Sequence, residues 1–425
     1  MSVRPFPPVQ APTRSHGESR AARPVWLRSA QAAWLATSVA VITACGGGGD
    51  TATVSGSSTS TTSSSTERAT AYAAGPISGF GSIIVNGVRY DDSTATVTDD
   101  DDRARGRDQL KLGMMVEVEG SAVSAANATG RALHIRFGSE IVGPVTGIDT
   151  VAGSLTVLGQ KVLVTGTTVF DDSLSAGLAG LDTGDVLEVH AQFNAADGSY
   201  TAVRVEDASA ATTYKLRGVI AALNTTAKTF TIGGQVINYG AIAAADLPTS
   251  LADGQRVRVR LQTTQLNGQW VATAVRSGVR KVEDGLGAHL RGPITVFTSS
   301  TDFEINGLKV NAASASFPDG SAGVALGAVV EVRGTVSNGV LVASVVELDH
   351  RHAGERHRFE LHGTVSALDT TAKTFKLRGI TVNYAGSVTW KDGAEADLAQ
   401  GKQVEVKGMP SANRSTLVAS QIEFE

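Results

Sequence analysis

From residue 75 to the C-terminus, apolar and polar side chains alternate over many short stretches. Val116-Glu117-Val118-Glu119, Val257-Arg258-Val259-Arg260 and Val404-Glu405-Val406-Lys407 are three of them. In an extended chain each would set its valines on one face and its charges on the other. Phe303-Glu304-Ile305 and Phe375-Lys376-Leu377 repeat the pattern with an aromatic on the apolar side. A period of two predicts strands that bury one face against a core.

These stretches recur in a fixed order. Gly75-Pro76-Ile77, Gly143-Pro144-Val145, Gly218-Val219-Ile220, Gly292-Pro293-Ile294 and Gly363-Thr364-Val365 open successive copies, about 70 residues apart. Next come alternating runs through a glycine turn. They include Ile83-Ile84-Val85-Asn86-Gly87, Leu155-Thr156-Val157-Leu158-Gly159, Phe230-Thr231-Ile232-Gly233, Phe303 to Gly307 and Phe375 to Gly379. Further alternating strands run from Leu112 to Gly120, Leu181 to Ala191, Leu251 to Leu261, Leu326 to Gly334 and Leu398 to Gly408. Ala132, Ala202, Ala272, Ala343 and Ala419 each precede a closing aliphatic strand. The second copy departs most, with Val189-His190-Ala191 where other copies read valine, charge, glycine.

Each copy therefore predicts about five strands. Asn86-Gly87 and Asn306-Gly307 predict tight hairpins. A weakly helical piece precedes the fourth strand, as at residues 243–251 and 394–400. Three strands, a helical turn and two strands is the order of an OB-fold, a small barrel. The rival, a five-bladed propeller, uses blades of about 40–50 residues, shorter than this period. The expected fold is all-β: five tandem small OB-like β-barrel modules at 75–138, 139–210, 211–284, 285–350 and 351–425.

Ahead of them lies a leader, residues 1–44. Arg4, Arg14, Arg20, Arg23 and Arg28 make it basic against Glu18 alone. Its apolar part, residues 32–44, is too short for a helical span of about 20 residues, and reads as a signal peptide. It ends in Ile42-Thr43-Ala44-Cys45, which resembles the bacterial lipobox. That resemblance implies lipidation of Cys45, the one cysteine of the chain, and Gly46 in place of Asp favours the outer membrane. Residues 45–74 then form a Gly/Ser/Thr linker, whose composition cannot build a core. Loss of five arginines and one glutamate with the leader turns the net charge of −4 into −8, which opposes nucleic-acid binding.

The repeated Gly-x-Ile, Phe-x-Ile-x-Gly and Leu-x-x-Gly-x-x-Val-x-Val-x-Gly landmarks resemble the bacterial domain-of-unknown-function 5666 family over nearly all of residues 75–425. The resemblance implies a lipoprotein with a glycine run after its cysteine, as at residues 46–49. It implies no activity, because the family has none assigned.

Candidate chemistry is sparse. His350, His352, His357 and His362 cluster between the fourth and fifth copies. Histidine-rich tracts are a metal-binding pattern, and a charged interdomain linker is the alternative. Asp99, Asp100, Asp101 and Asp102 offer oxygens that suit calcium, but the arginines that follow favour a solvated hairpin loop. Trp390, near a strand edge, is a candidate sugar-stacking residue, whereas Trp270 fits a core. No catalytic motif occurs, and the copies share no polar residue in register. The expectation is a non-enzymatic cell-envelope lipoprotein without cofactor, facing the periplasm or the cell surface. Its partners are the membrane through Cys45 and an envelope protein, in an interaction or spacing role. The alternative is a glycan- or metal-binding lipoprotein. A Cys45→Ser chain should incorporate no labelled fatty acid and move to the soluble fraction; a variant still in membranes would overturn the anchor.

Overall fold

The computed structural model describes residues 68–124, 126–279, 282–305, 307–349, 359–411 and 416–425. Cys45, the leader and most of the linker lie outside the described residues, as do His350, His352 and His357. The chain is all-β, and its strands form five small OB-like barrels.

Module 3 illustrates the circuit. Its first strand is Tyr214–Val219, continued by Ala221–Asn224, and the others are Thr229–Ile232, Gln235–Asn238, Arg256–Leu266 and Gln269–Ser277. The first three are antiparallel neighbours, the third lies parallel to the fifth, and the fourth joins the fifth to the first. The same circuit closes modules 1, 2, 4 and 5. The helical pieces are short 3-10 turns, Ala244–Asp246 and Glu395–Asp397 among them. Asn86 and Gly87 both adopt positive φ, 55° and 79°, as the mirror-image hairpin turn requires.

Closure depends on two of the sequence landmarks meeting. The aliphatic residue after each opening glycine exchanges backbone hydrogen bonds with the start of the fourth strand. The N–H of Gly254 donates to the Ile220 carbonyl at 2.8 Å, and the N–H of Ile220 to the Gln255 carbonyl at 2.9 Å. Ile77 with Gly113, Val145 with Gly184, Ile294 with Gly327 and Val365 with Gly401 repeat this. All five glycines have φ between +79° and +103°, a region costly for other residues. The five aliphatic side chains are buried. Further along, the fourth and fifth strands slip register at one equivalent place in every module: Gly120, Ala191, Leu261, Gly334 and Gly408, opposite the closing alanines.

The barrels are not separate beads. The first strand of module 1, Ala71–Phe80, runs its N-terminal half along its own fourth strand and its C-terminal half along its own second strand. Each half is left with one open edge. Module 4 fills one by parallel pairing, Ala71 to Ala74 against Gly287 to Leu290, and module 5 fills the other, Gly79 and Phe80 against Glu360 and Leu361. In module 2, Ile141 and Val142 pair with Leu216 and Lys215 of module 3. Buried side chains follow the same grouping. Modules 2 and 3 share one apolar cluster, modules 1 and 5 another, and Tyr72 and Ala74 of module 1 join that of module 4.

A test of closure compares two of the glycines. A Cβ on Gly254 would touch nothing, so Gly254→Ala should cost only the left-handed backbone, about 1–2 kcal/mol. A Cβ on Gly113 would fall 2.5 Å from the Val203 carbonyl oxygen, so Gly113→Ala should cost clearly more in urea unfolding.

Candidate functional site

Alternation in module 3 sends Val257, Val259 and Val275 into the core. It sends their neighbours outward, and those are nearly all cations. Lys215 lies opposite Arg260, Arg217 opposite Arg258, and Arg258 also opposite Arg276. Like charges facing across strands are destabilising.

Module 1 answers this with its acidic run. The loop after the strand Thr96–Asp99 packs onto the basic face. Asp100 Oδ2 lies 3.3 Å from Lys215 Nζ, 3.3 Å from Arg217 Nη2 and 2.9 Å from Arg258 Nη1. Asp101 Oδ1 lies 2.9 Å from Arg258 Nη2, and the same carboxylate pairs with Arg260. Glu140, in the connection to module 2, takes Arg256 Nη2 at 2.8 Å and Arg217 Nη1 at 3.6 Å. Asp99 holds the loop in shape: its Oδ1 accepts from the N–H groups of Asp101 and Arg103, and its Oδ2 from Arg105 Nε.

The expected solvated hairpin is thus corrected: Asp99 and Asp100 are buried. Cations and backbone amides engage their oxygens, and ligand atoms of Asp99, Asp100 and Asp101 also lie within 4.8 Å of one another, close enough to hold a metal ion. Burial alone would raise the Asp100 carboxyl, but Lys215, Arg258 and Arg217 outweigh it and hold it well below 3.8. Burial likewise disfavours the Arg217 charge, and Glu140 and Asp100 restore it. Beside this junction lies a cleft of about 540 Å³, lined by residues of modules 1 to 4.

His362 sits at the other main junction, between modules 1 and 5. Its Nε2 is 3.0 Å from Glu360 Oε1 and 3.2 Å from Glu405 Oε2, and its Nδ1 is 2.5 Å from Glu425 Oε1. Burial pulls the imidazole pKa down, yet its bonds to Glu360 and Glu425 prevail and raise it. Glu360, His362 and Glu405 present ligand atoms within 4.8 Å of one another and could hold a metal ion. Arg89 of module 1 and Lys407 pair with the same two glutamates. The described partners of His362 are thus glutamates; the other three histidines of the tract lie outside the described residues.

Trp390 packs in an aromatic trio, stacked on Phe424 at 6.1 Å between ring centres and edge-on to Tyr384 at 6.2 Å. One of its faces is therefore covered by Phe424. Trp270 is buried, and its Nε1 donates to Gln235 Oε1. A second cavity, about 700 Å³, opens among modules 1, 2 and 5, with Phe80, Val169, Phe359 and Ile380 in its walls.

A family model described as a domain of unknown function, DUF5666, matches residues 73–136, 142–206, 217–276, 291–347 and 362–423. The chain belongs to the DUF5666 family. No curated protein matches it. Among solved structures, drosophila Unr CSD456 is similar over 51% of this chain and 98% of its own, at 13% identity and a TM-score of 0.14.

Within the DUF5666 pattern, the departure in the second copy has a local reason. His190 is fully buried where modules 1 and 2 meet, its Nδ1 3.1 Å from the Gly138 carbonyl oxygen and 3.4 Å from the Met115 amide nitrogen. Burial pushes its pKa down to about 4. Sequence reasoning missed the basic face of module 3 as a site, although the signal was present in Arg256, Arg258, Arg260 and Arg276.

Removing one partner from a buried charge network leaves the others uncompensated. Asp100→Asn should therefore cost about 3–5 kcal/mol in urea unfolding at pH 7. The folded carboxyl titrates below its unfolded value of 3.8, so its contribution is whole above that pH and lost as pH falls below it. The gap between wild type and variant should therefore close only under strong acid.

Proposed function

We propose that this DUF5666 array is a non-enzymatic, lipid-anchored protein of the cell envelope whose five barrels act together as one interaction body. The observation that carries the reading is the strand Ala71–Phe80, which ties module 1 to modules 4 and 5. An extended spacer would leave modules distant in sequence apart. Among the described residues, what the copies share is barrel-making: turn glycines, buried aliphatics and closing alanines. A repeated enzyme would be expected to repeat a nucleophile or a base. The lipobox-like Cys45 supplies the anchor, and an envelope protein is the proposed partner.

The two junction cavities favour a second reading, a small-ligand carrier in the same compartment.

The test has two parts. Cysteines at Ala71 and Gly287, Cα partners in the parallel pair, should form a bridge on mild oxidation of the full chain, seen as faster migration in a denaturing gel. The same chain, captured from solubilised envelopes, should bring down one protein in stoichiometric amount. A chain that never bridges sinks the single body. Bridging without a partner, but with saturable binding of a glycan, moves the assignment to the carrier.

A further inference from the structure

We propose that the cleft beside the basic face of module 3 is a binding site for a small organic anion carrying carboxylate or phosphate oxygens. Lys215, Arg217, Arg256, Arg258, Arg260 and Arg276 share that face, and three pairs of them stand directly opposite each other across strands. The carboxylates ion-paired with them among the described residues are Asp100, Asp101 and Glu140. Among the described residues, seven arginines and five carboxylates line the cleft, Glu117 among the latter, which leaves a local surplus of positive charge in a chain whose net charge is −4.

The surplus is placed where a ligand could use it. Arg276 is exposed, lines the cleft and has no ion pair among the described residues. Arg217 and Arg256 also line it, and the Nε of each is buried without a hydrogen-bond partner. An orphaned charged donor is costly, and an anion oxygen is the partner that relieves it. Guanidinium groups suit both planar carboxylates and tetrahedral phosphates. The walls are not wholly polar. The Arg256 guanidinium lies 5.4 Å from the Phe193 ring centre, and Leu290 lines the same space. At about 540 Å³ the cleft is of small-molecule size. The ligand would thus present anionic oxygens to the arginines and an apolar face to Phe193.

The inference rests on the packing of modules 1 to 4, and so on the single-body reading. Titration calorimetry of the detergent-solubilised full chain with inorganic phosphate, citrate and digalacturonate tests it. Saturable binding of one equivalent is expected for at least one of them, weakening as salt is added. Arg276→Gln, which breaks no described ion pair, should weaken it about tenfold without changing the melting temperature. Arg256→Gln should weaken it at least as much. Phosphate alone binding points to a phosphate-bearing ligand, and citrate or digalacturonate alone to a carboxylate. No saturable heat from any probe overturns the site. So does an Arg276→Gln chain that binds like wild type, or maltose binding as well as digalacturonate. A chain that forms the 71–287 bridge yet binds no anion retires this site and leaves the single body standing.

Discussion

Every barrel in this protein depends on one short exchange, the paired backbone hydrogen bonds between an aliphatic residue of the first strand and the glycine turn that starts the fourth. A five-stranded sheet of this size has two edges, and an unpaired edge is open to any other strand. The exchange brings those edges together and buries the aliphatic side chain in the same step. It asks for a positive φ on one partner and an apolar side chain on the other. The repeat preserves that pair five times while the residues around it vary.

Once the barrel interior is secured, the outward faces are free to differ, and the modules use them to meet. Modules 1 and 3 meet through charge, with Asp100 and Asp101 set among arginines. Modules 1 and 5 meet through a backbone pairing next to the His362 and Glu360 cluster. Modules 1 and 2 meet around the neutral, buried His190. Modules 2 and 3 share apolar side chains, and Tyr200 of one donates its hydroxyl hydrogen to the Arg217 carbonyl of the other. At the charged junction and at His190 the deciding residues, Asp100, Asp101 and His190, are ones that the repeat pattern does not specify.

This division explains what could be read from the sequence. Alternation and turn glycines are local, and they reported five barrels with the right strand order. They also reported that Arg258 points away from the core of its barrel. They carried no information on whether outward means solvent, because that depends on a neighbour far along the chain. Arg258 and Asp100 therefore looked like solvated charges and are buried against each other. The His190 substitution was visible as an exception to the pattern. Its meaning was not, since a burial site between two modules leaves no period in either. His362 was visible as part of a histidine tract, whereas its glutamate partners come from Glu360, Glu405 and the C-terminal Glu425.

The strand Ala71–Phe80 carries a further consequence for how the chain reaches this state. It belongs to module 1, but two of its partner strands belong to modules 4 and 5, which are made after it. Contacts between such distant segments slow folding, because a long loop must close before they form. Until then both outer edges of that strand are available, and modules 4 and 5 of a neighbouring copy fit them as well as its own. Local concentration during synthesis or refolding then decides between a monomer and chains linked by exchanged modules. The connection that makes five barrels one body is also its route to domain-swapped assembly.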